Sequence, residues 1–499
     1  MRLPEPAFER PDKPGHSGLS SSSAPQILKP GHNCWRVSTA SKAAALVDGG
    51  PYFAHLEDAL HQARRSILIV GWDFDGRIRL RPDAPPEASP PLGELLRSLV
   101  ETHPELEIRI LVWSVAIVHA PGATMPLLLG AEWQNHPRIS LKLDTRHPLY
   151  AAHHQKIVCI DGNLAFVGGI DLTVRRWDRH PHMADDPLRI QPDGTSYAPV
   201  HDLQMAVQGD AAKAVSALAS RRWEKATGEE LRDSSGSHDL WPRGLRPDFT
   251  EVPVAIARTG PTWDKEPAIK EGAALAVDAL RQARSIVYIE AQYMTAPYIG
   301  DVLAESLEKE VGPEVVVLMT HESRGLVERF VMGRNRDRLI HRLKRADRHG
   351  RLLVCYPVVP RADGGEQQVM IHSKLIIVDD VFLRIGSSNL NNRSVGLDTE
   401  CDLAIEATND DEREAIVRLR NQLVAEHLDT SLEKVSDVVA RTGSLIQAVK
   451  TLNAGPCRLC AFEAMAGEGP TRPVLGTGLL DPKRPFEPLW FLRRKRRRT

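Results

Sequence analysis

This chain contains the same pattern twice, which makes a fold of two similar halves the first expectation. His154-Gln-Lys156-Ile-Val-Cys-Ile-Asp161 is matched by His372-Ser-Lys374-Leu-Ile-Ile-Val-Asp379. Upstream, Ala59-Leu-His-Gln-Ala-Arg-Arg-Ser-Ile-Leu-Ile69 matches Ala279-Leu-Arg-Gln-Ala-Arg-Ser-Ile-Val-Tyr-Ile289 with a one-residue gap. Downstream, Gly168 and Gly386 each lie 14 residues after their histidine, and Asp202–Gln208 matches Glu400–Glu406. The offset is 220 residues at the first match, 218 at the histidines and 198 at the acids. The first copy therefore carries an insertion of about 20 residues, with Arg175–Tyr197 as the candidate segment.

Within each copy the periodicity predicts helix, buried strand and loop in turn. Leu275 to Ala283 is apolar at helical spacing and runs into the strand-like Ser285–Ile289; Ile108–Val112 and Val315–Leu318 are β-branched runs of strand length. Alternating helices and strands imply an α/β fold. The Pro, Gly and Ser content of residues 1–30 reads as a disordered lead, and the stretch from Asp233 to Pro247 as a linker. The expected division is a lead over 1–30, lobes over 31–245 and 246–430, and a C-terminal helical segment and tail over 431–499. That tail ends in Trp490-Phe491 and a basic run, Arg493–Arg498, which suits either anionic headgroups or a solvated end.

Composition narrows the function. With 64 basic and 65 acidic residues the formal net charge is −1, which argues against a whole-chain nucleic-acid binder. Six scattered cysteines are no disulfide framework, so a reducing compartment is expected. No run approaches the roughly 18 apolar residues of a membrane span. No apolar core of a secretory signal stands at the N-terminus. A cytoplasmic protein is expected, reaching any lipid from the water side.

The chemistry sits in the repeated motif. On a strand, positions i and i+2 share a face, so each imidazole is expected beside an ammonium at the start of a β-branched run. A lysine binds phosphoryl oxygens and stabilises the charge that builds on them. Imidazole is a competent nucleophile or acid near neutral pH. Two copies suit a double displacement, in which one histidine attacks phosphorus and the other protonates the leaving oxygen. Such a pair needs its pKa values split by its surroundings. Asp202 and Glu400, at equivalent repeat positions, are candidates to orient the histidines; surface salt bridging is the other reading. Asp161 and Asp379 complete the motif and count with its catalytic set, although their odd spacing reads as strand-end turn chemistry. Gly168, Gly169 and Gly386 suit close backbone approach. Cys457-x-x-Cys460 lacks the second pair that a zinc site of that type requires, so no metal is expected there.

The motif H-x-K-x-x-x-x-D, present twice and followed by Gly-Gly or Gly-Ser, resembles the phospholipase D superfamily. The second copy is the fuller match: Met370–Asp380, then Gly386-Ser-Ser-Asn-Leu-Asn-Asn-Arg-Ser394, then Asp398-Thr-Glu400. Arg176-Trp-Asp178 with His180 and His182, Val200-His-Asp202 and Ile289-Glu-Ala-Gln-Tyr293 point toward the phosphatidylcholine-cleaving branch. The resemblance implies two similar α/β lobes of mixed sheets flanked by helices, with the site at their interface. It implies a phosphohistidine intermediate and no metal or other cofactor, with His154 as nucleophile and His372 as acid and base. Asn389 matches the family's phosphate-contacting asparagine; Ser387 and Gly169 count as supporting residues. The first copy departs there, with Asp171 in place of Asn389. The implied substrate is a phospholipid at a membrane surface, such as the inner face, with water or an alcohol as acceptor and a monomer as the working unit. Cardiolipin-synthase-type transfer is a variant of this reading. Nuclease activity is the alternative, disfavoured by the charge balance and by 5% aromatic residues.

Overall fold

The computed structural model describes residues 26–113, 131–148, 151–231, 236, 238–321, 333–462 and 481. The N-terminal lead to residue 25, part of the predicted linker, and the aromatic and basic run at 490–498 lie outside them.

The strands form one long mixed sheet. From one edge to its middle, neighbours run Ile139–Asp144, Glu107–Trp113, Ser66–Gly71, Ile157–Ile160, Leu164–Gly168, Leu203–Gln208 and Arg36–Val47. From the middle outward they run Phe249–Gly260, Glu400–Glu406, Phe382–Gly386, Lys374–Val378, Ile286–Ala291, Glu314–Met319 and Leu352–Pro360, beyond which Arg458–Ala461 and Glu366–Gln368 pair antiparallel with the last. Arg36–Val47 pairs antiparallel with Phe249–Gly260 and joins the two runs. Ile139–Asp144, Glu107–Trp113 and Ser66–Gly71 are parallel in the first run, as are Ile286–Ala291, Glu314–Met319 and Leu352–Pro360 in the second; the other pairings in this sheet are antiparallel.

Alternation along the strands builds two cores. Leu68 and Val70 face one side of the sheet while Ile67 and Ile69 face the other; Tyr288 and Val287 divide in the same way. One side is covered by the helices Asp210–Thr227 and Asp410–His427, whose Val215, Trp223, Ile416 and Leu423 join a single continuous core. On the other side Gly49–Gln62 and Leu92–Thr102 cover the first run, and Glu271–Gln282 and Pro297–Glu308 cover the second. Strands buried on both faces read as near-continuous apolar runs, as Ser66–Gly71 and Ile286–Ala291 do. Burying one such Leu or Ile contributes about 1.5–3 kcal/mol. The helix Asp410–His427 starts where Asn409 accepts from the Glu412 N–H at 2.9 Å, with acids filling its first turn.

Two expectations change. The packed chain begins inside the predicted lead: Ile27 and Leu28 are buried against the second run, and both backbone N–H groups donate to Glu406. Apolar side chains at the end of a polar stretch found a core that composition does not reveal. The motif histidines also do not begin their strands. These start at Ile157 and Lys374, because the His154 N–H donates to Thr399 O and the His372 N–H to His201 O instead of joining the ladders.

Candidate active site

Those backbone bonds already bring the two motifs onto each other's segments, and the side chains follow. His154 Nδ1 lies 2.9 Å from Glu400 Oε2, and His372 Nδ1 lies 2.6 Å from Asp202 Oδ2. Each imidazole is thus held by the acid of the other repeat copy. Both acids are buried, at 0% and 2% exposure, which removes the surface salt-bridge reading. Occupying Nδ1 fixes the ring and leaves Nε2 as the nitrogen for chemistry.

The acids are supported differently. Glu400 accepts from Ser387 Oγ at 2.6 Å and from Ser394 Oγ at 2.7 Å. Asp202 accepts from its neighbour's N–H, Leu203, at 2.8 Å. Gly169 stands where the second copy has Ser387, and a Cβ there would run into the Asp202 carboxylate. The shorter acid is met by a bare backbone and the longer one by a hydroxyl. Gly168 and Gly386 fill their own close approaches, to Leu203 O and to Asp402.

The lysines differ as well. Lys156 Nζ lies 3.1 Å from Asp171 Oδ2 and donates to His154 O at 3.0 Å. Lys374 Nζ reaches Gln292 Oε1 at 3.2 Å and His372 Nδ1 at 3.1 Å, and meets the carbonyl of His372. Asn389 is buried and its Oδ1 has no hydrogen-bond partner among the described residues, while its N–H donates to Ser394 Oγ at 3.1 Å. Asp171, its counterpart, is committed to Lys156 and to the N–H groups of Trp72 and Asp73. Asp171 Oδ2 carries an ion pair with Lys156 in place of a well-formed hydrogen bond.

Burial, then Lys156 and Lys374, hold the His154 imidazole well below its ordinary pKa. Burial, then Lys374, Arg176 and Lys156, do the same for His372. Burial pushes Glu400 up to about 7 against the hydrogen bonds from Ser387 and Ser394, and also raises Asp202. Burial lowers the Lys374 ammonium to about 7, with Asp202 opposing. The site thus gathers cations around neutral imidazoles, an arrangement that an incoming anion relieves.

The motif aspartates do not join this group. Asp161 accepts from the N–H groups of Arg64, Arg65 and Ser66, and Asp379 from those of Arg284, Ser285 and Ile286. Their place in the catalytic set is corrected: both clamp the start of a neighbouring strand. Within the insertion, Trp177 and Asp178 are packed inward. Asp178 is fully buried on Arg189, His182 and the Val200 N–H, and Trp177 is 7% exposed. The Arg176 charge adds to burial and Lys374 in lowering the His372 imidazole. Sequence reasoning missed Ser394 and Asp171; Ser394 lay inside the quoted motif, and Asp171 was noticed only as a departure.

The family model described as "Cardiolipin synthase, PLD-like domain" matches residues 276–433. Phospholipase D A of Dictyostelium discoideum is 23% identical over 432 residues, covering 72% of this chain and 32% of that protein. Phospholipase D alpha 1 of Carica papaya is 24% identical, covering 75% of this chain and 64% of that protein. Phospholipase D C of Dictyostelium discoideum is 26% identical over 225 residues, 13% of its length. The chain spans less than two thirds of each of these relatives. The crystal structure of phosphatidylserine synthase from Haemophilus influenzae Rd KW20 shares the fold, with a TM-score of 0.53 at 13% identity over 84% of this chain and 97% of that one. With its paired motifs, its fold and these relatives, the chain belongs to the phospholipase D superfamily.

Proposed function

We propose that this chain is a phospholipase D-type phosphodiesterase and transphosphatidylase. It cleaves the distal phosphodiester of a glycerophospholipid to phosphatidic acid and an alcohol. The observation that carries the reading is the crossed pairing of His154 with Glu400 and His372 with Asp202. It supports two duplicated lobes that share one site, with neither lobe complete alone.

In the first step neutral His154 attacks phosphorus through Nε2. The P–N bond forms, the distal P–O bond breaks, and the leaving alcohol oxygen takes a proton from His372. In the second step His372 takes a proton from water or an alcohol. That oxygen attacks phosphorus, the P–N bond breaks, and His154 returns neutral. Lys156, Lys374 and Asn389 hold the phosphoryl oxygens as charge builds on them. The phosphate also supplies the negative charge that allows His372 to carry its proton among lysines. The chemistry itself runs on these side chains, with a phospholipid surface as partner and a monomer as the working unit. No described helix is long and apolar enough to cross a membrane, which fits a cytoplasmic enzyme that meets lipid peripherally.

Phosphatidyl transfer between two lipids is the second reading, favoured by the cardiolipin-synthase description of the matching family. The test is lipid mass spectrometry after incubation with mixed phosphatidylcholine, -ethanolamine and -glycerol vesicles, with and without ethanol. Phosphatidic acid, with phosphatidylethanol when ethanol is present, supports the proposal. Cardiolipin formed from phosphatidylglycerol selects the second reading. Intact lipids beside cleaved single-stranded DNA overturn both.

A further inference from the structure

Beside Asp202 and His372 lies a second buried cluster that the phosphoryl chemistry does not use. Asp48, ahead of the helix Gly49–Gln62, meets His182 of the insertion, His201, and Glu426 near the end of the helix Asp410–His427. Asp48, His182 and His201 are 1%, 2% and 0% exposed, and the Glu426 side chain is 7% exposed. His182 Nε2 and His201 Nδ1 each lie 3.0 Å from Glu426 Oε1. His201 Nδ1 is 3.0 Å from Asp48 Oδ1, and His182 Nε2 is 3.4 Å from Asp48 Oδ2. A tetrahedral cation with ligand bonds of about 2.0–2.1 Å sets its donor atoms about 3.3 Å apart. The three contacts at 3.0 Å need to open by only a few tenths of an ångström to reach that spacing, and the four donor atoms all lie within 4.8 Å of one another.

Two further observations distinguish this cluster from an ordinary buried ion pair. The other ring nitrogen of each histidine rests on a separate carboxylate. His182 Nδ1 is 3.0 Å from Asp178 Oδ2, and His201 Nε2 is 2.9 Å from Glu290 Oε2. Those carboxylates are fastened in turn, Asp178 by Arg189 and Glu290 by Tyr288 and Ser373. This carboxylate–histidine arrangement is the outer support that metal-ligating imidazoles use. Second, Asp48 and Glu426 share the same two imidazole nitrogens, so Asp48 Oδ1 is buried without a well-formed hydrogen bond of its own. A buried carboxylate oxygen left unpaired is costly unless a cation meets it.

We propose that Asp48, His182, His201 and Glu426 form a four-coordinate site for a divalent cation of the zinc type. Two carboxylates and two neutral imidazoles balance its charge. Calcium and magnesium favour six or more oxygen donors, which this set does not supply. Four protein ligands leave no open position, so the cation is structural and the phosphoryl chemistry stays with the histidines and lysines. Its effect is on position. His201 precedes Asp202, and its carbonyl accepts the His372 N–H at 2.8 Å, so the cation pins the segment that orients His372.

The test does not depend on the phosphodiesterase reading. The full chain is stripped with a chelator, reloaded with zinc, desalted and measured by elemental mass spectrometry. The closed site predicts about one zinc per chain in the wild type and in His154→Asn, and under about one tenth in Asp48→Asn and His182→Asn. Cobalt in place of zinc gives the visible absorption of a tetrahedral ion. Zinc raises the wild-type Tm and the chelator lowers it, a readout that holds even if the variants fail to fold. A wild type that retains no zinc, or folded variants that retain as much as the wild type, overturns the proposal.

Discussion

Asp202 holds His372 Nδ1 at 2.6 Å across 170 positions of sequence, and Glu400 holds His154 Nδ1 at 2.9 Å across 246. Each repeat copy contributes a histidine to the candidate site and an acid to the other copy's histidine. Replacing either acid by its amide keeps the shape and removes the charge that orients the ring. Asp202→Asn and Glu400→Gln are each expected to lower kcat by about 10²–10⁴-fold, with KM little changed. A fall in KM-dependent binding alone, with kcat intact, would show that the acids do not act through the imidazoles.

The histidines themselves are the sharper test. His154→Asn and His372→Asn are each expected to abolish turnover, since each removes an Nε2 on which one half of the proposed double displacement depends. Acid-quenched samples with a labelled substrate distinguish their roles. His372→Asn retains the nucleophile and accumulates some phosphoenzyme; His154→Asn forms none. Label trapped on the His154→Asn variant would reverse the assignment.

Glu400 links the site to pH. Burial raises its carboxyl from 4.5 to about 7, so the folded chain holds this proton more tightly than the unfolded one. Its contribution to stability is therefore fully present below pH 4.5 and is lost as pH rises toward 7, by about 1.4 kcal/mol per unit. The buried histidines act in the opposite sense, being neutral when folded. The Glu400 contribution is thus read as the difference between wild type and Glu400→Gln in denaturant midpoints across this range. Ser387→Ala removes a hydrogen bond that opposes the shift, and is expected to move the window to higher pH.

Much of the site was legible in the sequence because a repeat aligns residues by role. The matched positions led to both histidines, both lysines and both acids. The crossing of acids was hidden, because it depends on backbone bonds such as His372 N–H to His201 O between segments far apart in the chain. The same holds for Asp48, His182 and Glu426, which belong to no motif and meet only through the fold. The strand Ile286–Ala291 was legible as an apolar run, since both its faces are buried. The inward packing of Trp177 and Asp178 was not, because an insertion without periodicity gives no sign of where its polar residues find partners.

Gly169 is where side-chain volume would be felt most. A Cβ there meets the Asp202 carboxylate, which is already fixed between Leu203 N–H and His372. Gly169→Ala is expected to cost about 1–3 kcal/mol by overpacking and to depress kcat with it, by pushing Asp202 off His372. Gly194→Ala, at a glycine with nothing within 4 Å but a φ of +84°, is the control for backbone strain. It is expected to lower Tm without changing kcat. Equal kcat in both variants would mean that Asp202 tolerates displacement.

Asp161 and Asp379 carry the opposite expectation to the residues around the histidines. Each carboxylate gathers three backbone N–H groups at 2.7–2.9 Å and sits at positive φ, 46° and 51°. The clamped N–H groups open the strands Ser66–Gly71 and Ile286–Ala291, which pair with the strands that follow the motif histidines. Asp379→Asn keeps one carbonyl acceptor and tolerates the left-handed backbone, so about 1–3 kcal/mol is expected to be lost. Asp379→Ala loses every acceptor and adds about 1–2 kcal/mol of backbone strain. Both variants, assayed below their Tm, are expected to retain wild-type kcat within a few-fold and an unshifted pH profile. A large fall in kcat at unchanged Tm would return the aspartate to the chemistry.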